Sequence, residues 1–266
     1  MITVTCVQLA PVVGDVEGNK QRSAAAVAAA AAAGADVIVL PELATSGYDF
    51  ESGEQAEASG ISSDDEVFDD WARAGDGAVV IGGFAERDEN AVLRNSAILL
   101  DGSGARVVYR KTHLWDEEAL HFTAGDEAPP VVDTAAGRIG VIVCYDLEFP
   151  ELTRSLAVRG AELLAVPTNW PLVDRPAGEH PPERIIAMAA ARVNRVAVAC
   201  ADRSHNDGGR RWTEGTAIVD ADGWTVTAPL VGVGSVTATI DLDVTRNKSI
   251  SSRNHLFDDR RPTIYR

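Results

Sequence analysis

Residues 36–40 read Asp-Val-Ile-Val-Leu, directly after a stretch, 24–33, that is alanine at every position except Val27 and is closed by Gly34. An alanine run is the strongest of helix formers, and a glycine just past it is a stop signal. The apolar run that follows has no polar face. A strand without alternation is covered on both sides, as strands of parallel sheets under helices are. A helix followed at once by such a strand points to a layered α/β fold.

The rest of the chain repeats that order. Strands are predicted at 2–9, 36–40, 78–84, 96–100, 107–109, 131–133, 139–143, 163–166 and 196–200, and helices at 19–34, 67–74, 150–159 and 183–194. Asp-Gly-Ser-Gly at 101–104 is a turn between two of the strands. The last third adds short strands at 216–219, 225–227 and 235–240, the first two joined through Ala-Asp-Gly at 221–223. Alternating strands and helices with antiparallel hairpins argue for sheets covered by helices. No linker, repeat or low-complexity tract interrupts the 266 residues, so 1–266 is expected to be a single domain, ending in a polar, arginine-rich arm from about residue 241.

Acids outnumber bases 40 to 24, a net charge of −16. Such a surface repels phosphate backbones and anionic lipid, so no nucleic-acid and no membrane partner is expected. The opening MITVTCVQLAP has no basic segment before an apolar one, and no apolar run approaches the ~20 residues of a membrane helix. The three cysteines, Cys6, Cys144 and Cys200, suggest neither a disulfide framework nor a zinc site, and a reducing cytoplasm is the expected home. Of the 24 basic residues only Lys20, Lys111 and Lys248 are lysines, so each lysine is notable.

Three residues stand at the ends of predicted strands. Cys144 ends RIGVIVC before a helix that starts near Pro150; the positive field of a helix N-terminus would favour its thiolate, although a cysteine there can equally be a small buried hydrophobe. Glu42 follows DVIVLP, where α/β folds commonly place working groups, or else is an exposed loop acid. Lys111 follows VVY and is either a solvated lysine or a fixed cation for a developing oxyanion. Cys6 and Cys200 are read as core. His113 is read as structural, because no second metal ligand lies at a usable spacing, and no metal or other cofactor is expected.

Together the segments LPELATSGY around Glu42, YRKTHL around Lys111 and GVIVCYDLEFPEL around Cys144 resemble, in order and spacing, the signature segments of the carbon–nitrogen hydrolase (nitrilase) superfamily. VQLAPVVGDVEGN, FTAGDE and PTNWP fit as well, so the resemblance runs from the first strand to about residue 240. It implies a four-layer αββα sandwich and a Glu–Lys–Cys triad. By carry-over, Glu42 is the general base, Cys144 the nucleophile, and Lys111 with the Tyr145 N–H the holder of the oxyanion. The family's second, substrate-positioning glutamate falls among Asp116, Glu117 and Glu118; counting back from FTAGD favours Glu118.

Branches that act on nitriles typically read Cys-Trp-Glu at the nucleophile. This chain reads Cys144-Tyr145-Asp146 and resembles the amidases. The resemblance therefore implies hydrolysis of a small aliphatic amide through a cysteine thioester. N-carbamoyl amine or amino acid hydrolysis and nitrile hydrolysis are the alternatives, and a catalytically silent scaffold is the alternative outside enzymes. Amidases acting on carboxylate-bearing substrates often carry arginine where this chain has Glu148. Glu148 would favour a cationic tail such as that of an ω-amino amide, or else forms a structural ion pair. Trp170, Trp115, Tyr48 and Phe149 are candidate pocket walls. Relatives commonly pair, so a homodimer or higher even homo-oligomer is expected.

Overall fold

The computed structural model describes residues 1–104, 106–205 and 210–265. Chain order begins β1 (Ile2–Gln8), α1 (Val16–Ala32), β2 (Val37–Val39), α2 (Gly53–Ala58), α3 (Glu66–Ala74), β3 (Val79–Arg87), β4 (Leu93–Leu100) and β5 (Arg106–Arg110). It continues α4 (Glu118–His121), β6 (Val131–Thr134), β7 (Gly137–Val141), a 3-10 turn (Cys144–Glu148), α5 (Pro150–Val158) and β8 (Leu163–Pro167). It closes with α6 (Pro182–Asn194), β9 (Ala197–Ala201), β10 (Ala217–Val219), β11 (Gly234–Ile240) and α7 (Leu242–Arg246).

The strands form two sheets, ordered β11-β1-β2-β3-β4-β5 and β10-β9-β8-β7-β6. Each has the same plan: three parallel strands in the middle, β1-β2-β3 or β7-β8-β9, with antiparallel strands outside. β2 shows why its run is continuous. Val37 and Val39 pack against the second sheet, with Ile139, Val141, Leu163 and Ala165. Ile38 points the other way, to Val27 of α1 and to Phe68 and Trp71 of α3. The second sheet is covered on its other face by α5 and α6, whose Leu156, Ala157, Ala187 and Ala191 are buried in the same continuous apolar cluster. The four layers are helices, sheet, sheet, helices.

Local chemistry sets the helix ends. The Asp15 carboxylate accepts from Gly18 N at 3.1 Å and caps α1, and Gly34 leaves the helix at φ 85°. A helix of alanines offers little apolar stripe, so α1 docks in part through a polar contact: Trp71 Nε1 donates to Ser23 Oγ at 2.9 Å.

Two details differ from the sequence reading. The segment 225–227 forms only a bridge from Thr225 to Val219, because the Asp220–Gly223 turn is followed by a single pairing. The short helices α2 and α4 carry too little periodicity to be foreseen. Beyond residue 241 the chain keeps α7 against the core through Leu242 and Thr245, and the rest is largely exposed. No helix of the described residues is long and apolar enough to cross a membrane.

Candidate active site

The C-terminal ends of β2, β7 and β8 bring together what the sequence keeps apart. Glu42 leaves β2, Cys144 follows β7, Asn169 follows β8, and Lys111 follows the antiparallel β5. Glu42 and Lys111 are 0 % exposed, Glu118 4 % and Cys144 6 %, so neither a loop acid nor a solvated lysine describes them.

Lys111 Nζ donates to Glu42 Oε1 at 2.7 Å and to both oxygens of Glu118 at 2.8 Å. Asn95 Nδ2 on β4 donates to Glu42 Oε1 at 2.8 Å, Tyr48 OH to Glu118 Oε1 at 2.5 Å, and Trp115 N to Glu118 Oε2 at 3.2 Å. Asp116 and Glu117 point to solvent, so burial singles out Glu118 among the three acids. Glu42 Oε2 is buried with no hydrogen-bond partner, a carboxylate oxygen left free to take a proton.

The electrostatics follow from that burial. Desolvation pushes the Glu42 carboxyl up to about 7, with Lys111 opposing and Glu118 adding to the rise. Burial disfavours the Lys111 ammonium, yet the facing carboxylates hold it charged well above the ordinary lysine range. The Cys144 thiol is raised well above its usual value, first by burial and then by the Glu42 charge, which outweigh the pull of Lys111. Burial and the Glu42 charge thus work against the thiolate that a helix field would favour, which suits a nucleophile served by a base.

Cys144 sits at φ 45°, left-handed for a residue with a Cβ, at the head of a 3-10 turn. Asp146 holds that turn. Its carboxylate accepts from Tyr109 OH at 2.9 Å, Thr112 Oγ1 at 3.0 Å, His113 N at 3.1 Å and Val143 N at 3.1 Å, tying the turn to the Lys111 segment. His113 stacks on Phe149 at 3.6 Å, a structural place as expected. Asn169 Nδ2 donates to the Glu42 carbonyl at 2.9 Å, joining the two sheets, while its own carbonyl lies 3.9 Å from Cys144 Sγ.

A small cavity opens over Cys144, lined by Trp115, Tyr145, Glu148, Asn169, Trp170, Pro171 and Glu183. Of the residues singled out in the sequence, Trp115, Tyr145, Glu148 and Trp170 line this cavity. Tyr48 and Phe149 are not walls of this cavity. Tyr48 reaches Glu118 and lines a neighbouring pocket, and Phe149 stands behind His113 and Tyr145. Glu148 makes no ion pair among the described residues, against the structural alternative. Sequence reasoning missed Asn95, Asn169 and Glu183. Asn169 lies inside the quoted PTNWP and had a signal; Glu183, in the first turn of α6, had none. Cys6 and Cys200 are buried core thiols. Among the described residues no group of three or more His, Cys, Asp or Glu could hold a metal ion.

A carbon–nitrogen hydrolase family model matches residues 3–248. A nitrilase of Pyrococcus abyssi is 33% identical over 100% of this chain and 99% of its own length. An (R)-stereoselective amidase of a Pseudomonas species is 32% identical, covering 97% of this chain and 91% of its own. Among solved structures, the amidase from Nesterenkonia sp. AN1 with acrylamide added at its active-site cysteine superposes with a TM-score of 0.79 at 25% identity, over 93% of this chain and 96% of that one. Another structure of that amidase is a complex with butyramide.

Proposed function

Because the chain belongs to the carbon–nitrogen hydrolase family and is an amidase-type enzyme, we propose that it hydrolyses a small aliphatic amide to the carboxylic acid and ammonia through a thioester on Cys144. The observation that carries the proposal is the buried set in which Lys111 joins Glu42 to Glu118 beside a cavity floored by Cys144. A base poised near neutrality suits a thiol that is not ionised at rest.

In the first half-reaction Glu42 takes the thiol proton as Sγ bonds to the amide carbon. The carbonyl π pair becomes an oxyanion beside the Lys111 charge and the Tyr145 N–H. Collapse breaks the C–N bond, and the proton on Glu42 leaves with ammonia. In the second, Glu42 takes a proton from water as its oxygen bonds to the thioester carbon; collapse breaks the C–S bond and returns that proton to sulfur. Glu118 places Lys111 and, through it, the substrate carbonyl. Butyramide in the Nesterenkonia structure supports a short aliphatic acyl group, and the acid at Glu148 supports ω-amino amides as the preferred members. We place the chain, as one domain, in a reducing cytoplasm, because its three thiols are free.

Ammonia release from a panel of propionamide, 5-aminopentanamide, glutaramate, N-carbamoylputrescine and a short nitrile tests this. Wild type releases ammonia from an amide without carbon dioxide, and Cys144→Ala lowers kcat by about 10³-fold or more. Carbon dioxide released with the ammonia would move the reading to carbamoyl hydrolysis. No turnover of any member, with Cys144 inert to iodoacetamide, would move it to a silent scaffold.

A further inference from the structure

Two carboxylates line the Cys144 cavity without a cation to answer them. Glu148 closes the 3-10 turn that Cys144 opens, and Glu183 stands in the first turn of α6, which packs on that turn. A helix start accounts for an acid at 183. It does not account for Glu183 Oε2, which is buried with no hydrogen-bond partner. Burial raises both carboxyls above the usual range, and the Glu183 charge raises Glu148 further. Arg175 draws Glu183 the other way but stands exposed and makes no ion pair among the described residues.

Two like charges on one cavity wall, Glu183 half-buried and Glu148 at the exposed rim, repel each other and cost stability unless something neutralises them. The rest of the cavity indicates what does. Trp115, Tyr145 and Trp170 supply aromatic surface, on which alkylammonium groups bind well. Asn169, 1 % exposed, lines the same cavity with Oδ1 buried and unpaired, an acceptor with no protein donor. The lining of the cavity therefore offers acceptors and π faces and includes no lysine or arginine.

We propose that Glu148 and Glu183 jointly seat an ammonium group, so that the enzyme selects amides carrying a primary amine at the end opposite the scissile bond. This rests on the hydrolysis proposed above and adds Glu183 as a specificity-determining residue. Pairing with both carboxylates needs the amine to reach past Cys144 to the mouth of α6, so a terminal amine is favoured over one next to the carbonyl.

The test compares kcat/KM for 5-aminopentanamide with that for pentanamide, which has the same chain and no charge. Wild type prefers the amine by about tenfold or more, as a partly desolvated charge pair allows. Glu183→Gln and Glu148→Gln each lower that ratio, and Glu183→Lys raises kcat/KM for glutaramate relative to 5-aminopentanamide. Equal rates on the two amides in wild type, or a ratio unmoved in both variants, would overturn the seat while leaving amide hydrolysis standing. Should wild type hydrolyse neither amide, the hydrolysis reading fails, and calorimetry with butylammonium still decides the seat. Binding weakened in both glutamine variants upholds it, and no binding to wild type overturns it. Matching thermal unfolding of wild type and variants guards against a folding defect.

Discussion

An ammonium has three protons, and Lys111 meets three carboxylate oxygens, one of Glu42 and two of Glu118. Two carboxylates around one cation leave an excess negative charge in a dry site, and a raised Glu42 pKa relieves it. That sets a pH dependence whose sign is fixed. The base must be ionised to take the thiol proton, and its carboxyl ionises at about 7. We expect kcat/KM for a neutral amide such as propionamide to fall about tenfold per unit of pH below that value. A profile flat down to the ordinary carboxylate range would mean that Glu42 is not the base. The other lysines are also tied down: Lys20 pairs with Glu17 and Asp65, and Lys248 donates to the Asn194 and Arg195 carbonyls at the end of α6. The scarcity of lysine therefore did carry information, since all three occupy fixed places. It did not tell the structural ones from Lys111; the flanking segment did.

At the level of elements, the approach of β3 to the segment after β2 is what brings Glu42 inside. A Cβ on Gly83 would stand 2.5 Å from Glu42 Cα and 2.6 Å from Leu43 N, both backbone atoms that cannot swing away. Gly83→Ala should push the Glu42 segment off its place. We expect a loss of about 1–3 kcal/mol in urea unfolding and a fall in kcat/KM of about tenfold or more, larger than the stability loss alone produces in a still-folded enzyme. Unchanged turnover would show that the segment tolerates the shift. Strand ends were legible because β-branched runs such as VIV and GVIV end at Pro41 and at the 3-10 turn. The residues just past those ends, Glu42 and Cys144, were therefore placed without a structure. Glu183 was not, because its meaning depends on α6 lying over the Cys144 turn, a contact between elements that no local spacing encodes. Asn95 was hidden for a similar reason: it faces Glu42 only because β4 pairs with β3 beside the Gly83 approach.

For the whole molecule, α5 and α6 present Val158, Ile185 and Val193 to solvent on the side away from the sheets. Apolar groups on one outer layer, with the family expectation of pairing, support a homodimer or higher even assembly. Light scattering should then give at least twice the 28.1 kDa chain mass, and Ile185→Glu should shift the population toward monomer. A wild-type monomer at micromolar concentration would dismiss the expectation. With a net charge of −16, added salt should favour association by screening. The division of labour between the sheets has a further consequence. Glu42 and Lys111 hang from one sheet, Cys144 and Asn169 from the other, and Val39, Ile81, Val141 and Ala165 fill the space between. Those four side chains act as shims: adding or shaving a methyl there resets the distance from base to sulfur without touching a reacting atom. In such a molecule the interior is part of the adjustment of rate, and mutations that look like ordinary drift in a hydrophobic core are, to the chemistry, changes of gauge.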